Sequence, residues 1–198
     1  MSGLQAAGGT AITTTEHTDE TSTHATTARV LVFVVAVAGY AADLATKTAA
    51  LAHLDPANPP VLLGGLVTLQ LISNPGAAFS MGENFTVVLS FVAIAAFVVV
   101  SAWLVPRVRV RAWGVATGLL LAGILGNLTD RLFRPPSPLH GHVIDFIQLP
   151  YFAIFNVADM CITGAAVLII WLSVVRQVSA DGRRMDAGEQ EARGRASS

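Results

Sequence analysis

Four long apolar stretches alternate with shorter polar segments along this chain. They cover residues 30–51, 85–105, 112–128 and 152–175. A helix needs roughly 20 apolar residues to cross about 30 Å of hydrocarbon, and each stretch is close to that length. The pattern therefore predicts an all-α polytopic membrane protein in which four transmembrane helices form one integral membrane domain over residues 29–176.

The segments that flank these spans have different compositions. Residues 1–28 are rich in Thr and Ala, and residues 177–198 are charged, so we expect both to be disordered tails. Within residues 55–83, the stretch "GGLVTLQLIS" (64–73) alternates in the manner of a strand, and "NPG" (74–76) is typical of a turn. These signals predict a small extracytoplasmic β-sheet between the first and second helices.

The composition excludes several classes of protein. Of the 198 residues, 53% are hydrophobic and 13% are charged, whereas soluble domains carry about 25% charged residues. The net charge of −1 offers no basic surface for phosphates, so a nucleic-acid partner is not expected. The single cysteine, Cys161, lies in an apolar run and cannot form an internal disulfide, so we interpret it as a small packing residue.

The positions of the arginines predict how the chain is oriented in the membrane. The link between the second and third spans contains Arg107, Arg109 and Arg111, and Arg176, Arg183 and Arg184 follow the fourth span. Residues 52–83 contain no Lys or Arg. Because cytoplasmic loops carry the excess of basic residues, both termini should be cytoplasmic, and the segments 52–83 and 129–151 should face outward.

The third span also has a regular pattern of small residues. Gly114, Gly118, Ala122 and Gly126 recur at every fourth position. On a helix they form one side with almost no side-chain bulk, so that a neighbouring helix can approach closely. We interpret them as a packing stripe.

A set of polar residues lies at the ends of the spans, or in the link between them, that are predicted to face outward. An ionisable group at mid-bilayer costs on the order of 3 kcal/mol, so each one needs a reason. The set comprises Asp43, Lys47, Asn127, Asp130, Arg131, Asp145, Asn156 and Asp159. The sequence thus predicts one polar layer beneath the outer surface.

Pairing accounts for only part of this layer. Asp43 and Lys47 are at i and i+4 on one helix face, whereas the adjacent Asp130 and Arg131 point apart, so that Arg131 should serve another group. Asp145 and Asp159 have no evident basic partner. Two carboxylates in a poorly hydrated site share a proton, which provides a base to activate water and an acid for a leaving group, as in aspartic proteases.

Other interpretations of these polar residues remain open. The two acids could be structural, since Asp159 at a helix start is favoured by the helix dipole. "HGHVID" offers His140, His142 and Asp145 as metal ligands, but it lacks an apparent fourth ligand. A proton-coupled transporter would need polar groups through the full membrane thickness, whereas the cytoplasmic halves of the spans are apolar. A purely structural membrane subunit is a further alternative.

Five motifs carry a resemblance to a known family. "DLATK" (43–47), "NPGAAFS" (74–80), "GNLTDR" (126–131), "GHVIDF" (141–146) and "FNVAD" (155–159) together resemble lipoprotein signal peptidase, or signal peptidase II, over residues 30–175. The resemblance implies an aspartic endopeptidase of the bacterial plasma membrane, with its active site near the outer face. Such an enzyme removes signal peptides from prolipoproteins by cleaving before the diacylglyceryl-modified cysteine, and it uses no metal or organic cofactor.

The resemblance also assigns roles to individual residues. It places the catalytic pair at Asp145 and Asp159. It implies diacylglyceryl-modified prolipoproteins and membrane lipid as partners, and we expect a monomer. "RPPSPLH" (134–140) reads as an insertion that forms a stiff loop. The positions implied to support the site or bind substrate are Asp43, Lys47, Asn74, Asn127, Asp130, Arg131 and Asn156, of which Asn74 and Arg131 are our candidates for substrate contacts.

Overall fold

The chain folds into four long helices. The computed structural model describes residues 12–76 and 83–184, and the side chains of 23–76 and 86–184. Helix α1 is Ile12–His53, α2 is Glu83–Val99, α3 is Arg111–Phe133 and α4 is Val157–Ile170. Helix α2 continues through a π-helical turn, Val100–Leu104, and α4 through another, Trp171–Val175. All four are long and apolar enough to cross a membrane, which confirms the predicted fold class.

The ends of these helices differ from the predicted spans for local reasons. Helix α1 begins at Ile12, inside the segment predicted to be a disordered tail, because residues 12–38 contain no Gly or Pro to interrupt it. Helix α4 begins at Val157 rather than at residue 152, because Asn156 caps it. Residues 1–11 of the predicted N-terminal tail lie outside the described residues.

The C-terminal segment is also partly ordered. Val178 forms a β-bridge with Arg184, and the Trp113 indole donates a hydrogen bond of 2.9 Å to the Val178 carbonyl. Residues 177–184 therefore fold back on the start of α3, although the charged composition had predicted a disordered tail from residue 177. The remainder of that prediction, residues 185–198, lies outside the described residues.

Helix α3 lies at the centre of the bundle, against α1, α2 and α4. The small-residue stripe is where α1 approaches it. A Cβ built on Gly114 would lie 2.5 Å from the Ala28 carbonyl oxygen, and one built on Gly118 would lie 2.7 Å from the Val35 Cβ. Such distances leave no space for a side chain, so the stripe packs as predicted and α1 runs parallel to α3.

Four short strands lie at the end of the bundle that carries the polar layer. Strands β1 (Val61–Leu62) and β2 (Val67–Thr68) form one antiparallel pair, with glycines of positive φ between them. Strand β3 (Ile72–Asn74) pairs with β4 (Val143–Asp145), which lies between α3 and α4. The predicted strand region is therefore broken into three short strands, and its last strand joins a later part of the chain.

Candidate active site

Asp145 is the last residue of β4, and its carboxylate is almost completely buried, with 2% of the residue exposed. Two amides donate hydrogen bonds to it. The Asn74 Nδ2 lies 2.8 Å from Oδ2, and the Asn156 Nδ2 lies 2.6 Å from Oδ1. The antiparallel pairing of β3 with β4 brings Asn74 to Asp145 although they are 71 residues apart.

Asp159 is fixed at the start of α4 by a reciprocal cap. The Asn156 backbone N–H donates to Asp159 Oδ2 at 3.2 Å, and the Asp159 N–H donates to Asn156 Oδ1 at 3.0 Å. The other carboxylate oxygen, Oδ1, accepts a bond of 2.8 Å from the Asn127 Nδ2. Both oxygens of Asp159 therefore accept hydrogen bonds, which fix the orientation of the carboxylate.

A pair of amides connects the two acids. The Asn156 Nδ2 that donates to Asp145 also lies 3.1 Å from Asn127 Oδ1, and Asn127 in turn donates to Asp159. Within the described part of the chain, neither Asp145 nor Asp159 forms an ion pair. The two carboxylates are therefore oriented by neutral donors, which leaves their charge uncompensated by a direct cationic contact.

The burial of Asp145 changes its acidity. Burial, together with the negative charge of Asp159, raises the pKa of Asp145 to about 6, although the hydrogen bonds from Asn74 and Asn156 lower it. A carboxyl group with this pKa can exchange a proton near neutral pH. The pair thus has the property that general acid–base chemistry requires, namely one group able to hold a proton beside another acid.

Lys47 forms the centre of a second cluster, which supports the first. Its ammonium group is fully buried and lies 2.8 Å from Asp43 Oδ2, 2.8 Å from Asp130 Oδ2 and 3.1 Å from Asn127 Oδ1. Three acceptors match the three ammonium donors. Asp43 also accepts a bond of 2.8 Å from the Ala158 N–H, so this cluster links α1 to both α3 and α4.

Known proteins are similar to this chain in sequence and in fold. The sequence model of the family described as signal peptidase (SPase) II matches residues 35–175. The chain belongs to the signal peptidase II family. A lipoprotein signal peptidase of Leifsonia xyli is 44% identical over 79% of this chain and 72% of its own length. One from Rhodococcus jostii is 42% identical over 79% and 78% of the two chains.

A relative from Mycobacterium tuberculosis, also a lipoprotein signal peptidase, is 39% identical over 71% of this chain and 69% of its own. Among solved structures, a bacterial membrane enzyme determined by the in meso method at 1.9 Å resolution superposes with a TM-score of 0.64. It is 25% identical and covers 72% of this chain and 92% of its own. This chain is thus a multi-pass membrane protease of the signal peptidase II family.

The polar layer also contains Arg131, which forms no ion pair within the described residues. Its neighbour Asp130 pairs with Lys47 and Arg134, so Asp130 and Arg131 do not pair with each other, in agreement with the interpretation from the sequence. The Arg131 Nη1 is buried and has no hydrogen-bond partner within the described residues. Its charge interacts electrostatically with Asp145, Asp130 and Asp159. A buried donor without a partner costs about 1–3 kcal/mol, which favours a ligand that supplies an acceptor.

The structure joins eight of the nine predicted site residues in one network of hydrogen bonds and ion pairs, and the ninth, Arg131, interacts electrostatically with Asp145, Asp130 and Asp159. The histidines of "HGHVID" lie beside this layer and contact hydroxyls instead, since His142 Nδ1 is 3.2 Å from Ser73 Oγ and His140 Nδ1 is 3.1 Å from Ser137 Oγ. The sequence interpretation missed two buried hydroxyl residues of α2, Thr86 and Ser90. Their signal was available, because they are polar, four residues apart and enclosed in an apolar span.

Proposed function

We propose that this protein is an aspartic peptidase of the plasma membrane that removes signal peptides from prolipoproteins, with Asp145 and Asp159 as its catalytic pair. The observation that carries the proposal is the linkage of these two carboxylates through Asn156 and Asn127, without a direct cationic partner in the described residues. The family to which the chain belongs is described as signal peptidase II, and its relatives are named lipoprotein signal peptidases. In this proposal, cleavage falls before the diacylglyceryl-modified cysteine of the substrate.

In the proposed mechanism a water molecule lies between the two acids. The ionised carboxylate takes a proton from this water, and the oxygen of the water attacks the scissile carbonyl carbon. The protonated carboxyl group donates to the developing oxyanion and then a proton passes to the leaving amine as the C–N bond breaks.

Arg131 and Asn74 are the proposed substrate contacts. The free Nη1 of Arg131 suits a carbonyl or other polar oxygen of the bound peptide. Asn74 holds Asp145 through its Nδ2 and accepts the Gly76 N–H at 2.8 Å through its Oδ1, so it orders the edge of the site that the peptide meets. The lipid of the substrate remains in the outer leaflet, and the protein acts as a monomer without a cofactor.

Catalysis is tested by Asp145→Asn and Asp159→Asn in purified protein. Each variant should lose cleavage of a diacylglyceryl-modified precursor while retaining its fold. Asp55→Asn is the matched control, because Asp55 is an exposed acid outside the site that caps a turn through the Ala57 N–H. Normal processing by either site variant would exclude that residue from catalysis, and equal cleavage of an unmodified precursor would exclude the lipoprotein specificity.

The proposed orientation places both termini in the cytoplasm and the site near the outer face, in line with the arginine distribution. It is tested with single cysteines in a Cys161→Ser background. Asn58→Cys and Arg109→Cys both lie at exposed positions. In intact spheroplasts a membrane-impermeant thiol reagent should label the cysteine at position 58 and not the one at position 109. The reverse labelling would invert the proposed topology.

A further inference from the structure

Helix α2 carries two buried hydroxyl groups on one side. Thr86 is 2% exposed and Ser90 is fully buried. They are four residues apart, so both face the same direction from the helix. In an apolar span such hydroxyls commonly bond to the carbonyl of their own helix four residues earlier. The Thr86 Oγ1 donates to the carbonyl oxygen of Pro75, at 2.6 Å, which lies outside the helix.

The Thr86 bond acts on the turn that holds Asn74. Pro75 is the central residue of that turn, and the Gly76 N–H closes it by donating to Asn74 Oδ1 at 2.8 Å. The Asn74 Nδ2 then donates to Asp145 at 2.8 Å. A continuous path of hydrogen bonds and one peptide unit therefore runs from the Thr86 hydroxyl to the Asp145 carboxylate.

Ser90 acts on the other segment that leads to Asp145. Its Oγ lies 2.7 Å from the Leu139 carbonyl oxygen and 2.9 Å from the Thr86 carbonyl oxygen. Leu139 has a φ of +69°, a conformation that a residue with a side chain adopts only where its surroundings hold it. The loop that contains Leu139 leads directly into β4, which ends at Asp145.

We propose that Thr86 and Ser90 are positioning residues for peptide cleavage, because they fix the two segments that carry Asn74 and Asp145. This inference rests on the proposed function, since it assumes that Asp145 is catalytic. Neither hydroxyl touches the substrate in this proposal. Thr86 acts through the Asn74 amide, and Ser90 acts through the loop before β4.

The distinguishing readout is the titration of Asp145. The hydrogen bond from Asn74 lowers the pKa of Asp145, so a turn that no longer holds Asn74 must let this pKa rise. The charged groups that face Asp145 are Lys47 from α1, Arg131 from α3 and Asp159 from α4. Two further acids, Asp43 and Asp130, each form an ion pair with Lys47. Replacement of Thr86 alters none of these charges.

The first test compares Thr86→Val, which removes the hydroxyl at nearly constant volume, with Thr86→Ser, which keeps it. In Thr86→Val the limb of the kcat–pH profile that belongs to Asp145 should move to higher pH by about half a unit, because part of one hydrogen bond to a charged group is lost. The kcat at neutral pH should fall roughly tenfold with little change in KM, as expected for a small displacement of a reacting group. Thr86→Ser should restore both values.

Thr117→Val is the matched control. Thr117 is a fully buried threonine of α3, and its Oγ1 has no hydrogen-bond partner within the described residues. This variant should leave kcat and the pH profile unchanged. If Thr86→Val lowers kcat without moving the Asp145 limb, the hydroxyl has a merely structural role and the inference fails.

Ser90→Ala provides a second variant in case Thr86→Val does not fold. It should lower kcat while KM stays close to the wild-type value, and wild-type kcat in this variant would overturn the role of Ser90. Asp145→Asn is measured in parallel. Cleavage by Asp145→Asn would contradict the proposed function itself, whereas an inactive Asp145→Asn beside an unaltered Thr86→Val profile would contradict only this inference.

Discussion

Replacement of Lys47 by methionine tests the buried cluster that supports the site. Methionine has a similar length and no charge, so Lys47→Met leaves the Asp43 and Asp130 carboxylates without the ammonium that lies 2.8 Å from each. Removal of one partner from a buried ion pair costs about 3–5 kcal/mol, because the remaining charge is uncompensated. Asp130 keeps its contact with Arg134, and Asp43 keeps the Ala158 N–H, so we expect a total loss within that range.

The loss is measurable as a change in melting temperature. For domains of this size, 1 kcal/mol corresponds to roughly 2–4 °C, so Lys47→Met should unfold about 6–20 °C earlier than the wild type. The assay follows a thiol-reactive fluorophore in detergent, because the single cysteine, Cys161, is buried and reacts when the bundle opens. Cleavage should also decline, since Lys47 contacts Asn127, which orients Asp159.

Two further variants make this reasoning refutable. In Asp43→Asn/Lys47→Met the unpaired Asp43 charge is removed together with the lysine, so the double variant should recover at least about 1 kcal/mol relative to Lys47→Met. Thr48→Val changes an exposed neighbour on the same helix and should shift stability by no more than about 0.5 kcal/mol. A wild-type melting temperature for Lys47→Met would show that the cluster does not hold the helices together.

Three other predictions follow from the same layer. Gly126→Ala should destabilise the fold by about 1–3 kcal/mol in the thiol assay, since its Cβ would stand 2.5 Å from Asp43 Oδ2 and 2.9 Å from the Ala158 Cβ; an unchanged melting temperature would contradict this. The pKa of Asp145 is raised from 3.8 to about 6 by burial, so its contribution to stability is complete below pH 4 and is lost as the pH rises through 6. The stability of Asp145→Asn relative to the wild type should therefore increase by up to about 3 kcal/mol between pH 4 and pH 7. If the melting temperatures of the two proteins change with pH in the same way, the raised pKa is refuted. Asn156→Ala should lower stability by about 0.5–2 kcal/mol through loss of the α4 cap. It should also lower kcat while KM changes little, and a kcat like that of the wild type would exclude the proposed link between the acids.

The local features of the fold were predictable from the sequence because they depend on neighbours along the chain. Apolar length determined the four helices, and helical spacing placed Asp43 beside Lys47 at i and i+4. The Asn74–Gly76 turn followed from its residue types in the same way. The helix boundaries were less predictable, as α1 extends further toward the N-terminus than its apolar stretch.

The contacts that assemble the site join residues far apart in sequence. Lys47 meets Asp130, and Asn74 meets Asp145 across 71 residues. The second contact depends on the pairing of β3 with β4. Strand β4 has only three residues, all of them buried, so it shows no alternation of exposed and buried positions from which a strand could be predicted. Hydroxyl groups such as that of Thr86 show the same limit, because the sequence reveals that they are polar and not which carbonyl they bind.

Apolar length and residue type along the chain were enough to predict which segments form membrane-length helices and which polar residues accumulate at one end of them. Which of these polar groups bond to each other became visible only in the folded molecule. Helix formation and turns depend on local backbone and burial preferences, whereas the orientation of each buried carboxylate depends on strand register and on the close approach of α1 and α4 to the small residues of α3.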